Sequence, residues 1–146
     1  MRALIQRVTE ASVSISGSVV GEIGTGLLTL LAVERGDSPA QAQRMVERLV
    51  SYRVFADEQG RMNRSITDIA GHLLLVSQFT LAADTRKGTR PGFSGAADPV
   101  RAEALYELMC RELAMRCEHF ASGRFGANMQ VALINDGPVT FLLEVK

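Results

Sequence analysis

The chain has 146 residues, of which 47% are hydrophobic and 22% charged, a balance that suits one core-forming domain and argues against disorder. Sixteen basic and sixteen acidic side chains cancel, which excludes a wholesale electrostatic commitment to nucleic acid or membrane but leaves room for a local basic patch. Arg2, Arg7 and Glu10 interrupt the N-terminal segment where a signal peptide needs an apolar run, and the most apolar stretch, residues 26–33, is too short to cross a bilayer; a soluble protein is expected.

In chain order, residues 2–15 and 19–23 read as strands joined by a turn at Gly17-Ser18, and residues 26–33 as a third after Gly24-Thr25-Gly26. In "DSPAQAQRMVERLVSYR", Ser38 stands as N-cap, Pro39 fits the first helical position and Gln41 completes a capping box. Ala42, Met45, Val46, Leu49 and Val50 then repeat at the spacing of one buried helical stripe. A short strand "RVFA", the turn "DEQG" and a polar stretch through Asn63-Arg64-Ser65 precede a strongly apolar strand over residues 72–81. Residues 83–97 read as a loop carrying Arg86, Lys87 and Arg90. Asp98 and Pro99 repeat the helix-start signal for a second helix to about Arg116.

Cys110 and Cys117 would lie roughly 10 Å apart along that helix, beyond the reach of a disulfide, so reduced thiols and a cytoplasmic setting are expected. After the turn-rich "GRFGAN", apolar segments 129–134 and 139–145 flank Asn135-Asp136-Gly137-Pro138, the pattern of a terminal two-strand hairpin. Pro138, which has no N–H to give a ladder, sits at its mouth. No linker, repeat or low-complexity tract divides the chain. One domain over residues 1–146 is expected, of class α+β: a largely antiparallel or mixed sheet rolled towards a barrel, with two main helices packed against it.

Familiar catalytic patterns fail. No glycine-rich turn ends in Gly-Lys-Ser/Thr, "GEIGTGLL" lacks the last glycine of a dinucleotide loop, and "GFSGA" misses the nucleophile elbow because Ala96 replaces its final glycine. His72 and His119 have no metal-like spacing and read as strand-end or surface residues. What remains is "SQFTL", residues 77–81. Generic composition favours a strand running out to the surface, with Phe79 packed inward and Ser77 and Thr80 making local hydrogen bonds. The functional reading has Phe79 stacking on a base and backbone N–H groups, left free where the strand ends, holding an oxyanion.

"SQFTL" together with "NDGPVT" resembles the signature pair of the D-aminoacyl-tRNA deacylases, formerly called D-tyrosyl-tRNA deacylases. The likeness extends through "MRALIQRV", "GEIGTGLLTLL", "SQFTLAADTRKG", "RPGFSGAA" and "GRFGANM", and so covers essentially the whole chain. It departs at Gly92 and Asn128, where serine and aspartate are common. The resemblance implies a metal-independent carboxylic ester hydrolase without a cofactor, acting on the ester between a D-amino acid, or mischarged glycine, and the 3′-terminal adenosine of tRNA. It implies a homodimer with active sites at the interface, tRNA as partner, and neither DNA nor membrane. Ser77, Gln78, Phe79 and Thr80 match the catalytic positions, and Phe79 the adenosine pocket. Gly137 and Pro138 match a cis Gly-Pro pair that reaches into the other subunit's site, where paired carbonyls take the substrate ammonium and the ring blocks L side chains. Arg7, Met129, Val139 and Thr140 match supporting positions. Arg86, Lys87 and Arg90 read as contacts for acceptor-stem phosphates, with a solvated charged loop as the plain alternative.

Two mechanisms stay open: assistance by the neighbouring ribose hydroxyl, and Thr80 as covalent nucleophile, for which no base is evident. The alternative of another class is a non-catalytic RNA-end or small-ligand binding module on the same scaffold.

Overall fold

The computed structural model describes residues 1–146. Its organising element is β1 (Arg2–Ile15), a 14-residue strand long enough to serve several partners. On one side it pairs antiparallel with β3 (Gly26–Ala32) through Arg2–Val8, then with β2 (Ser18–Ile23) through Ala11–Ile15. On the other side it pairs along almost its whole length with the terminal strand, β8 (Gln130–Glu144). The second half of the sheet is parallel: β3 to β6 (His72–Ser77), and β6 to β7 (His119–Ser122). The ends of this path come together. A Cβ on Gly21 of β2 would stand 3.0 Å from the Ser122 carbonyl oxygen of β7. The sheet is therefore mixed and nearly closed, as expected.

Helix α1 (Pro39–Ser51) begins where its caps dictate, with the Ser38 N–H donating to Gln41 Oε1 at 3.0 Å. The start of α2 (Pro99–Arg116) is closed by the Asp98 carboxylate, which accepts from the Arg101 N–H at 3.1 Å. Both helices lie on the outer face of the sheet. Met45 and Leu49 of α1 and Met109 and Leu113 of α2 are buried with Ile5, Leu27, Leu31, Leu73 and Leu75. Strand alternation turns Leu74 and Val76 the other way, into a smaller cluster with Val8, Val13 and Leu28 inside the curved sheet. Strand β6 is thus buried on both faces, which is why its sequence is a continuous apolar run. Each such leucine contributes about 1.5–3 kcal/mol of burial. Tyr106 of α2 fixes the layers by donating its buried hydroxyl to the Leu75 carbonyl at 3.0 Å. Gly26 is required by close packing, since a Cβ there would lie 1.8 Å from the His72 carbonyl oxygen.

Three expectations need correction. The C-terminal segment is not a hairpin. Both of its halves pair with β1 in one direction, Gln130–Asn135 against Ser14–Val8 and Thr140–Glu144 against Gln6–Arg2. Residues 136–139 are looped out of a single strand opposite Arg7. The strand expected over residues 72–81 ends at Ser77, and Phe79–Ala82 forms one turn of 3-10 helix. Its pairing partner stops at Ala32, so the ladder ends with the Gln78 N–H on the Leu31 carbonyl at 2.7 Å. Finally, the polar stretch around Asn63 contains a short strand, β5 (Met62–Arg64), paired with β4 (Phe55–Ala56). Cys110 and Cys117 are half-buried and free. No helix is long and apolar enough to cross a membrane.

Candidate active site

The "SQFTL" segment occupies the C-terminal end of β6. Ser77 is the last paired residue, opposite Leu31 of β3. Beyond it the chain tightens into the 3-10 turn, with the Leu81 N–H on the Gln78 carbonyl at 3.2 Å and the Ala83 N–H on the Thr80 carbonyl at 3.1 Å. The N–H groups of Phe79 and Thr80 have no acceptor within the chain. Two consecutive free donors at a strand end are what a developing oxyanion requires. The Gln78 amide donates to the Thr80 hydroxyl oxygen and orients it. Phe79 does not pack inward: its side chain is 59% exposed and leans on Phe93, ring centroids 5.1 Å apart.

Neither histidine approaches this turn. His72 starts β6, roughly 16 Å away at about 3.3 Å per residue. It packs against His119 of β7, ring centroids 4.5 Å apart, and the two rings line a cavity of about 620 Å³ together with Glu10, Glu22 and Ile134. The Gly24 N–H donates to His72 Nδ1 at 3.0 Å. No three His, Cys, Asp or Glu side chains converge where they could hold a metal.

The second signature is the looped-out segment of β8. Asn135 clasps its base: Oδ1 accepts from the Val139 N–H at 2.6 Å, and Nδ2 donates to the Thr140 hydroxyl at 2.9 Å. Arg7, only 15% exposed, holds the other side. Its Nε donates to the Asp136 carbonyl at 2.9 Å and its Nη1 to the Val54 carbonyl at 2.7 Å. Val139 anchors the segment in the main core. Gly137 has φ +143°, and a Cβ there would stand 2.6 Å from Val139 Cγ2. The Gly137–Pro138 peptide bond is cis, and both residues are exposed.

Within one chain the two signatures do not meet. Strands β1 and β3 lie between β8 and β6, three spacings of about 4.8 Å, or roughly 14 Å. Met129 packs against the inner cluster, beside Gly123 and Val13. Arg86 is committed locally: its guanidinium chelates the Asp84 carboxylate at 2.8 and 2.7 Å, which holds that carboxyl far below its usual range. Lys87 and Arg90 are exposed in the same loop.

Sequence reasoning missed Asn135, although asparagine before a tight turn is a known clasp. It also missed Arg35, Phe93 and Arg101, which join Phe79 around a cleft of about 430 Å³.

The scaffold and its relatives define the class first: this is a hydrolase built on an α+β fold with a nearly closed sheet. The chain belongs to the D-Tyr-tRNA(Tyr) deacylase family, whose model matches residues 4–144. It is 58% identical to a D-aminoacyl-tRNA deacylase of Stutzerimonas stutzeri (strain A1501), over 99% of each chain. It is 59% identical to one of Xanthomonas euvesicatoria pv. vesicatoria (strain 85-10), over 98% of this chain and 99% of that one. Among solved structures, one titled c-Myc DNA Unwinding Element Binding Protein superposes with a TM-score of 0.95 at 40% identity, covering 100% of this chain and 99% of its own. A probable eukaryotic D-amino acid tRNA deacylase shares the fold, with a TM-score of 0.85 at 15% identity, over 99% and 98% of the two chains.

Proposed function

We propose that this protein hydrolyses the ester joining a D-amino acid to the 3′-terminal adenosine of tRNA, and also clears mischarged glycine. Water attacks the ester carbonyl, and the free N–H groups of Phe79 and Thr80 receive the oxyanion. Collapse breaks the acyl–oxygen bond, and the ribose oxygen leaves with a proton. Phe79 stacks on the adenine, while Ser77, Gln78 and Thr80 surround the ester. The observation that carries this reading is the pair of unbonded amides beside an exposed aromatic ring at the end of β6.

No histidine stands near Thr80, and its hydroxyl oxygen accepts from an amide rather than giving its proton to a base. That favours the neighbouring ribose hydroxyl as the assisting group over covalent catalysis. We assign chiral selection to Gly137 and Pro138 of a second copy, with Arg7, Met129, Val139 and Thr140 in support. The Pro138 ring then bars an L side chain, and glycine passes because it has none. Two features support a homodimer. Gly137 and Pro138 are exposed on a strand separated from Phe79 by β1 and β3, and β8 exposes Leu133, Ile134, Phe141 and Leu142 next to an edge that pairs with nothing. In the same reading Arg86, Lys87 and Arg90 meet acceptor-stem phosphates, and the setting is the cytoplasm, where charged tRNA is used.

The test is release of free D-amino acid from charged tRNA, with the L-aminoacyl ester as control. Fast release from the D ester only is expected. No release from either would leave the binding-module alternative, in line with the binding name borne by the relative of 40% identity.

A further inference from the structure

The cleft of about 430 Å³ shares Phe79 with the adenine contact just described, but its other walls, Arg35, Phe93 and Arg101 among them, have no part in that reaction. Its walls come from three segments far apart in sequence. One is Phe79. A second is the stretch after β3, where the Arg35 N–H donates to the Gly95 carbonyl at 2.8 Å and Glu34 bridges to Ala96. That pairing brings Phe93 back over Phe79 and sets Arg35 at the rim. The third is the first turn of α2, which supplies Asp98 and Arg101.

The chemistry of the walls is mixed in a specific way. Two partly exposed aromatic rings meet at a tilt of 58°, 59% and 40% open to solvent, and offer apolar surface to the cleft. Arg35 is exposed, and its guanidinium has no hydrogen-bond or ion-pair partner. Arg101 spends Nε and Nη2 on the Asp37 carbonyl, at 2.9 and 2.6 Å, which fixes the guanidinium and leaves Nη1 free. The Asp98 carboxylate uses Oδ1 on the helix start, leaving Oδ2 to accept from another donor. Ring faces, two cations and one carboxylate acceptor match a nucleotide: a stackable base, a phosphodiester, and an amino or hydroxyl donor.

We propose that this cleft is the subsite for the nucleotide immediately upstream of the terminal adenosine. Its base lies on Phe93, next to the adenine on Phe79, and the phosphodiester joining the two nucleotides lies between Arg35 and Arg101. The proposal rests on the deacylase reading, because continuity with Phe79 is what orders the two nucleotides. It also explains how an enzyme with near-neutral overall charge grips the end of every tRNA: the grip is local and acts on the shared single-stranded tip.

The experiment compares two substrates that carry the same ester. One is D-aminoacyl-tRNA; the other is D-aminoacyl-adenosine, which has no phosphodiester and no upstream base. In Arg35→Gln and Phe93→Ala the preference for the tRNA substrate, taken as the ratio of the two kcat/KM values, should fall about five- to tenfold through KM. For Arg35→Gln the salt dependence of the tRNA reaction should flatten by about 0.7 in logarithmic slope, the loss of one single-strand phosphate contact. Arg35→Lys should restore most of the preference. Arg35 holds no other group through its side chain, so folding is not at stake in that variant. A preference and slope equal to wild type, or equal losses on both substrates, would overturn the proposal. A second readout does not depend on turnover: binding of a labelled CCA trinucleotide, expected to weaken several-fold in Arg35→Gln. If the wild type cleaves neither ester, the deacylase reading fails. The trinucleotide measurement then still decides the subsite: weaker binding by Arg35→Gln supports it, and unchanged binding overturns it.

Discussion

Arg7 is the best place to perturb the looped-out segment to which chiral selection is assigned, without touching the proposed reacting groups. Replacing it by methionine keeps the stem that lies along β1 but removes two charge-assisted hydrogen bonds. The bond to the Val54 carbonyl, at 2.7 Å, is part-buried, and the one to the Asp136 carbonyl, at 2.9 Å, is exposed. Bonds to charged groups contribute about 1.5–3 kcal/mol when shielded and less in water, so the pair together is worth about 3 kcal/mol. The Asp136 carboxylate, 3.8 Å away and 54% exposed, adds little. For a chain of this length about 1 kcal/mol moves Tm by about 2–4 °C, so Arg7→Met should melt about 6–12 °C lower. It should also loosen the loop at Gly137, whose ideal Cβ position lies 3.3 Å from Arg7 Nη2, and so lower the ratio of D- to L-ester hydrolysis. Arg7→Lys, which retains charge but not the fork, should fall between. The assays are thermal unfolding and paired deacylation of D and L esters. A Tm within about 2 °C of wild type, with the D:L ratio intact, would refute the reasoning.

In the proposed mechanism the Thr80 hydroxyl is not the nucleophile, so Thr80→Ala should keep most of its turnover; a loss of several orders of magnitude would restore covalent catalysis. Lys87→Gln and Arg90→Gln, made singly, should each flatten the salt dependence of tRNA hydrolysis more than Arg86→Gln does, since Arg86 is already neutralised by Asp84. An equal effect from all three would mean the Asp84 pair opens on binding. Burial pushes the Cys117 thiol from 9.0 up to about 11. At pH 8 only on the order of one molecule in a thousand carries the thiolate, so native alkylation should be far slower than in the unfolded chain. The unfolded thiol loses its proton first, so this group's contribution to stability declines from about pH 9 and levels off beyond about pH 11. Native alkylation at the free-thiol rate would contradict the burial.

The legible parts of the sequence were those decided locally. Ser38-Pro39 and Asp98-Pro99 started both helices where the structure starts them, and the period-two and period-3.6 patterns sorted strands from helices. Both signature motifs could be read, but not where they lie. Asp136-Gly137 between apolar segments looks the same in a hairpin and in a loop thrown out of one long strand. Only the continuous 14-residue partner β1, more than a hundred residues upstream, decides between them. Phe79 and Leu81 prolong an apolar run that the strand cannot follow, because β3 ends and takes the hydrogen-bond ladder with it. The cleft of Arg35, Phe93 and Arg101 depends on the bridge of Glu34 to Ala96, between segments some sixty residues apart, for which spacing in sequence carries no signal.

In the proposed function one copy of the chain exerts selection upon the other. The most direct measurement uses a mixed dimer, isolated by two different affinity tags, of one chain carrying Phe79→Ala and one carrying Pro138→Ala. Its single working cleft, on the Pro138→Ala chain, would face the intact proline of its partner, so strict preference for the D ester is predicted. If the mixed dimer hydrolyses L esters as freely as the Pro138→Ala homodimer does, the proline acts within its own chain and the account is wrong.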